Sequence, residues 1–100
     1  MGNAGSQIAS NPATGPALQQ VGGYLQQWRS AQPGLTADQA ARRAGVSRGT
    51  WWRMERGEGG VRMESYLAAF AIMGVLQKVI QAAEPSLFHA EADRFFPGYG

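Results

Sequence analysis

The sequence contains no cysteine, a single histidine and only seven acidic side chains among 100 residues. Without cysteine there is neither a disulfide framework nor a thiolate metal site, and His89 alone cannot supply a ligand set, so no metal or other cofactor is expected. A chain free of disulfides fits a reducing cytoplasm. Long apolar runs are missing too: the richest, YLAAFAIMGVL from Tyr66, stops well short of the roughly 18 residues of a membrane span. With a polar N-terminus unlike a signal peptide, the expectation is a soluble, cytoplasmic protein without membrane contact. The constellations of catalysis are absent as well. There is no close pair of carboxylates in the expected core and no GxxxxGK phosphate loop, and GEGG at residues 57–60 is too short to cradle a nucleotide. An enzyme is not expected.

What the chain does have is arginine in one place. The net charge is only +2, yet six of the nine basic residues, Arg42, Arg43, Arg48, Arg53, Arg56 and Arg62, fall in a stretch whose only acids are Glu55 and Glu58. Arginine forks bidentately onto phosphate and onto guanine edges, whereas lysine acts more as a point charge. The competing reading of such a cluster is a solvated face on a small domain.

Residues 1–16, MGNAGSQIASNPATGP, carry no charge and many helix breakers and are expected as a disordered tail. From Ala17 to Gln32, Leu18, Val21, Leu25 and Trp28 recur at helical spacing. The pair Gly22-Gly23 weakens this first helix, since each glycine costs about 1 kcal/mol against alanine, and leaves it firm only after Gly23. Thr36 and Gln39 form a capping box that opens helix two, Ala37 to Ala44. Gly45 supplies the left-handed residue that ends it, and Ser47 caps helix three, Arg48 to Arg56. Two helices joined by a short glycine turn form a helix-turn-helix pattern. Helix four, about Met63 to Met73, is apolar almost all round and is expected to be buried on several sides. Helix five, Leu76 to about Ala83, stops before Pro85. Residues 85–100 contain four aromatics without a long periodic pattern. The fold class expected is all-α: a five-helix helix-turn-helix domain over residues 17–84, between the tail and an aromatic C-terminal segment.

The stretch GLTADQAARRAGVSRGTWWRMERG, residues 34–57, resembles the helix-turn-helix regulators of the phage Cro/repressor class, also known from xenobiotic response elements. The likeness rests on GLT before helix two, AGVS across the turn and ERG closing helix three, and extends loosely from about residue 18 to 83. It implies that helix three enters the major groove of double-stranded DNA, that helix two lies over the backbone, and that a homodimer reads a pseudo-palindromic operator as a transcriptional repressor. By the same resemblance the base-reading positions fall on Arg48, Gly49 and Arg53, with Thr50 and Trp52 alongside. Thr36, Arg43 and Ser47 join them among the DNA-contacting positions. Arg56 and Arg62 bracket the loop GEGGV and are expected on phosphates, with Glu58 opposing them and sharpening register. Two departures stand out. Ala37 occupies a position where the family often has a glutamine, and Gly49 offers no side chain where the family commonly reads a base. Specificity is therefore expected to lean on Arg48 and Arg53 and to favour guanine in the half-site. The resemblance also implies a structural pair between Arg29 on helix one and Glu55 near the end of helix three.

Adjacent helical residues point about 100° apart, so Trp51 and Trp52 cannot face the same neighbour. By the resemblance, Trp51 takes the inward position of helix three, usually a branched aliphatic, while Ala40 stands where helix two usually carries a larger leucine. A large side chain from helix three then fills the volume given up by helix two. Trp52 lies on the more exposed side. Its ring can pack on a thymine methyl or on the sugar-phosphate backbone; packing against the GEGG loop or a neighbouring subunit is the alternative.

The run ERGEGGV before the apolar fourth helix is also similar to HipB-type antitoxins, which bind operator DNA and clamp a toxin. Phe88, Phe95, Phe96 and Tyr99 can serve as a partner-binding arm, or pack back on the domain, or complete the homodimer. His89 is assigned no role.

Overall fold

The computed structural model describes residues 12–83. The tail as far as residue 11 and the aromatic segment after residue 83 lie outside the described residues. Five helices follow one another: α1 Thr14–Ala31, α2 Ala37–Ala44, α3 Arg48–Glu55, α4 Met63–Met73 and α5 Leu76–Ala82.

Helix α1 begins three residues before the expected Ala17 and so takes up the end of the stretch expected to be a tail. Pro16 permits this because an amide in the first helical turn has no intrahelical acceptor to lose. The glycine pair inside α1 has a packing reason that its helix propensity hides. A Cβ at Gly22 would lie 2.5 Å from the Met54 carbonyl oxygen and 2.7 Å from that of Glu55. Gly57, with φ +72, repeats the contact from the other side, since a Cβ there would come within 2.8 Å of the Gln19 Cα. Two glycines thus let the backbone of α1 touch the last turn of α3. Gly23, one residue on, faces open space.

Helix α2 starts in a complete capping box: the Thr36 hydroxyl accepts from the Gln39 amide, and the Gln39 side chain accepts from the Thr36 amide at 3.0 Å. It ends at Gly45 in the left-handed region, where Gly45 N–H donates to Arg42 and Val46 N–H donates to Ala41. Ser47 then opens α3. Its hydroxyl accepts from the Thr50 amide at 3.0 Å and donates to the Thr50 hydroxyl at 2.8 Å. Helix α3 stops at Glu55, with Arg56 as its cap rather than its last residue.

Leu25 of α1, Trp51 and Met54 of α3 are the largest fully buried side chains, and Ala37, Ala40, Ala41 and Ala69 complete the core with Leu35. Three small residues on α2 seat that helix close to α3, and the indole of Trp51 supplies bulk to the interior they share. Helix α4 departs from expectation. Only Ala69 is buried; Tyr66, Leu67 and Phe70 are half-covered, and Met63 is 74% exposed. The helix rests on α2 by one side and meets α5 near its end. No residue of α5 is buried. An apolar groove of about 520 Å³ runs between α1 and α4, walled by Leu18, Val21, Val61, Met63, Tyr66 and Phe70.

Candidate nucleic-acid interface

The inward side of α3 is held by a polar clasp set in the core. Glu55, whose side chain is 3% exposed, receives Arg29 Nε at 2.6 Å on Oε2 and Arg29 Nη2 at 3.0 Å on Oε1. The indole N–H of Trp51, one turn back on the same helix, also donates to Oε2. Arg29 reaches further to the Leu35 carbonyl at 3.4 Å, which ties in the chain entering α2. The hydrogen bond to Glu55 raises the pKa of the Arg29 guanidinium, more than partial burial lowers it. A carboxylate satisfied by three donors is tolerable in an apolar interior where an unpaired one would not be. The clasp fixes the rotation of α3 about its axis.

With Trp51, Met54 and Glu55 inward, helical geometry determines what faces out. At about 100° per residue, Gly49 lies almost opposite the centre of the buried side, with Arg56 and Arg53 nearest to it on either side and Trp52 and then Arg48 further round, Arg48 and Arg53 being roughly 140° apart. Arg48, Gly49, Trp52 and Arg56 are exposed, Trp52 at 40%. Arg53 and Thr50 are partly covered.

Most of these arginines have a carboxylate at hand. Glu58 stands between two of them, 3.0 Å from Arg56 Nε and 3.9 Å from Arg53 Nε. Arg53 also donates to the Gly59 carbonyl at 3.5 Å, which draws it from the helix toward the following loop. Arg42 pairs with Asp38 at 2.8 Å and Arg62 with Glu64 at 3.1 Å. Among the described residues, Arg43 and Arg48 have no carboxylate partner. These are exposed pairs, each worth about 1 kcal/mol or less, so a polyanion can displace them.

Arg53 and Arg62 converge on a polar notch of about 210 Å³ between α3 and the start of α4, with Thr50 and Ser65 on its walls. Sequence reasoning put Arg53 among base readers and Arg62 among phosphate contacts, and did not anticipate that they border one recess. The missing signal was the geometry of the glycine loop, which no helical periodicity encodes. Nearby, the Tyr66 hydroxyl is buried without a hydrogen-bond partner among the described residues. Burial pushes the phenol pKa up, and the positive charge of Arg53 works against it. Thr36 and Ser47 are engaged as caps, and Gly45 as the turn residue. Arg43 projects into solvent from the last turn of α2. No cluster of three metal-ligating side chains occurs among the described residues, and no helix there is long and apolar enough to cross a membrane.

Residues 20–80, more than half of the chain, match the model of a family described as a helix-turn-helix domain. No curated protein and no solved structure matches. A capped pair of short helices joined through a left-handed glycine, the second turning arginines outward, agrees with that match: the chain belongs to the helix-turn-helix domain family, whose architecture binds DNA.

Proposed function

We propose that this protein is a sequence-specific transcriptional regulator, a homodimeric repressor that lays α3 in the major groove of a pseudo-palindromic operator. The observation that carries this reading is the outward face of α3. It presents Arg48, Trp52, Arg53 and Arg56 and no acidic side chain, while the opposite face is locked into the core through Glu55. In this arrangement Arg48 and Arg53, roughly 140° apart around the helix, each meet a guanine edge, and each is worth about 1 to 3 kcal/mol of discrimination. Arg43, Arg56 and Arg62 hold phosphates, with Thr36, Ser47 and Thr50 at the two helix starts. Glu58 disfavours a shifted register by repelling the backbone.

Dimerisation through α4 and α5 is supported by the apolar surface that these two helices leave exposed among the described residues, including Met63 at 74% and Ile80 at 50% exposure. The test is fluorescence anisotropy of the purified protein on a duplex from its own upstream region and on a scrambled duplex, across a salt series. A preference of about a thousandfold with a steep salt slope is expected. Equal binding to both duplexes removes sequence-specific autoregulation. A protein that stays monomeric at all concentrations tested, and binds its operator only with the product of the neighbouring gene, is instead an antitoxin-type regulator whose apolar face serves a toxin.

A further inference from the structure

Gly49 is costly where it stands. A glycine inside an eight-residue helix destabilises it relative to alanine, and nothing in the fold requires one here. Its φ is not positive, and a Cβ at this position would meet no atom within 4 Å. In this it differs from Gly22 and Gly57, whose missing Cβ atoms admit the backbone of a neighbouring segment. The space at Gly49 opens outward, near the centre of the face that α3 turns away from the core. Trp52, three residues on, stands beside it, because residues three apart are neighbours on a helix surface and side chains lean toward the helix start. Yet the indole stays more than 4 Å from where the Cβ would be. The missing Cβ thus leaves a gap on the outer face of α3, with bare backbone as its floor and the exposed indole of Trp52 beside it.

Such a recess suits a small apolar group that approaches from outside. If α3 lies in the major groove, one base-pair edge there offers such a group, the C5-methyl of thymine; every other feature of the groove code is a hydrogen-bond donor or acceptor. We infer that Gly49 and Trp52 together form a receptor for a thymine methyl, the glycine by leaving room and the indole by supplying the apolar wall. The inference rests on the DNA-binding reading above, and it makes Gly49 a specificity-determining residue at a position that has no side chain.

The test starts from duplexes selected out of a random-sequence pool by the wild-type protein. Each thymine of the selected half-site is replaced in turn by deoxyuridine, which removes the methyl and keeps the pairing. One position per half-site is expected to lose about fourfold in affinity, the equivalent of one buried methyl group, and the loss should vanish in Trp52→Ala. Gly49→Ala should melt at a higher temperature than wild type, since it gains helix propensity in open space. It should nevertheless bind the selected duplex about tenfold more weakly, as a filled recess does. If Gly49→Ala binds as tightly as wild type, or no thymine responds to deoxyuridine, the receptor is overturned while DNA binding stands. A loss in Trp52→Ala without any response to deoxyuridine also overturns it and places the indole on the sugar-phosphate backbone. If no sequence is enriched from the pool, the DNA-binding reading itself falls, and the receptor with it.

Discussion

The first three helices and the last two are built to different standards. In α1 to α3, backbones touch at Gly22 and Gly57, a tryptophan fills the centre, and a buried carboxylate is satisfied by three donors from two helices. In α4 and α5, whose residues are more apolar, only Ala69 is buried. The unit that presents α3 is therefore complete within one chain. The apolar pair at its edge has surface left over, and hydrophobicity alone did not draw it into the interior. Composition says how much surface a helix would gain by burying; the neighbouring elements decide whether it can.

The largest break in that contrast should come from Trp51→Ala. Removing a fully buried indole and its hydrogen bond to Glu55 is expected to cost about 3 to 5 kcal/mol in urea unfolding, enough to unfold much of a domain this small. A mutant with near wild-type stability would show that α2 closes over the gap. Next comes Arg29→Ala, which leaves the Glu55 carboxylate buried with the indole as its one remaining donor. A loss of about 3 kcal/mol is expected, and Arg29→Lys should restore only part of it because an ammonium cannot fork onto both oxygens.

Gly22→Ala and Gly23→Ala sharpen the comparison within a single helix. The first forces a methyl group against two carbonyl oxygens and should destabilise by about 1 to 3 kcal/mol. The second meets nothing and should stabilise by up to about 1 kcal/mol, measured by thermal melting. Equal effects would remove the seam between α1 and α3. At the other end of the molecule, Met63→Ser should change the unfolding free energy of a single chain by only about 0.5 kcal/mol or less. Its effect should instead be read in sedimentation, as weaker self-association. The smallest effect belongs to Tyr66. Because its phenol pKa is raised in the fold, stability is fully present below the ordinary tyrosine value of about 10 and declines as pH rises from there through the folded pKa. Tyr66→Phe should flatten that alkaline decline in a pH series of melting temperatures.

Much of the fold was legible in the chain because its signals are local. Capping residues, a left-handed glycine and apolar spacing act within a few positions, and the bounds expected for α2 and α4 coincide with those observed. What escaped was set by contacts between distant segments. Gly22 reads as a weak point in a helix until Met54 and Glu55, more than thirty residues later, are found against it. The exposure of α4 could not be read from its own residues, since it depends on how the other described helices sit beside it. In the candidate interface, the outward positions of α3 followed from its period once Trp51 was placed inward. The turn of Arg53 toward Gly59, and its meeting with Arg62 across a notch, depend on a loop whose path has no period.

Trp51 and Trp52 share a peptide bond but not an environment, and this equips the protein with two optical reporters at adjacent positions. Trp51, sealed from water beside a carboxylate, is expected to emit at the blue end and to shift when the interior opens. Trp52 emits from the surface, within reach of a dissolved quencher, and it darkens or brightens when something covers the outer face of α3. With Trp28 replaced by phenylalanine, unfolding should be read as a red shift when Trp51 meets water, and ligand arrival as a loss of quencher access at Trp52.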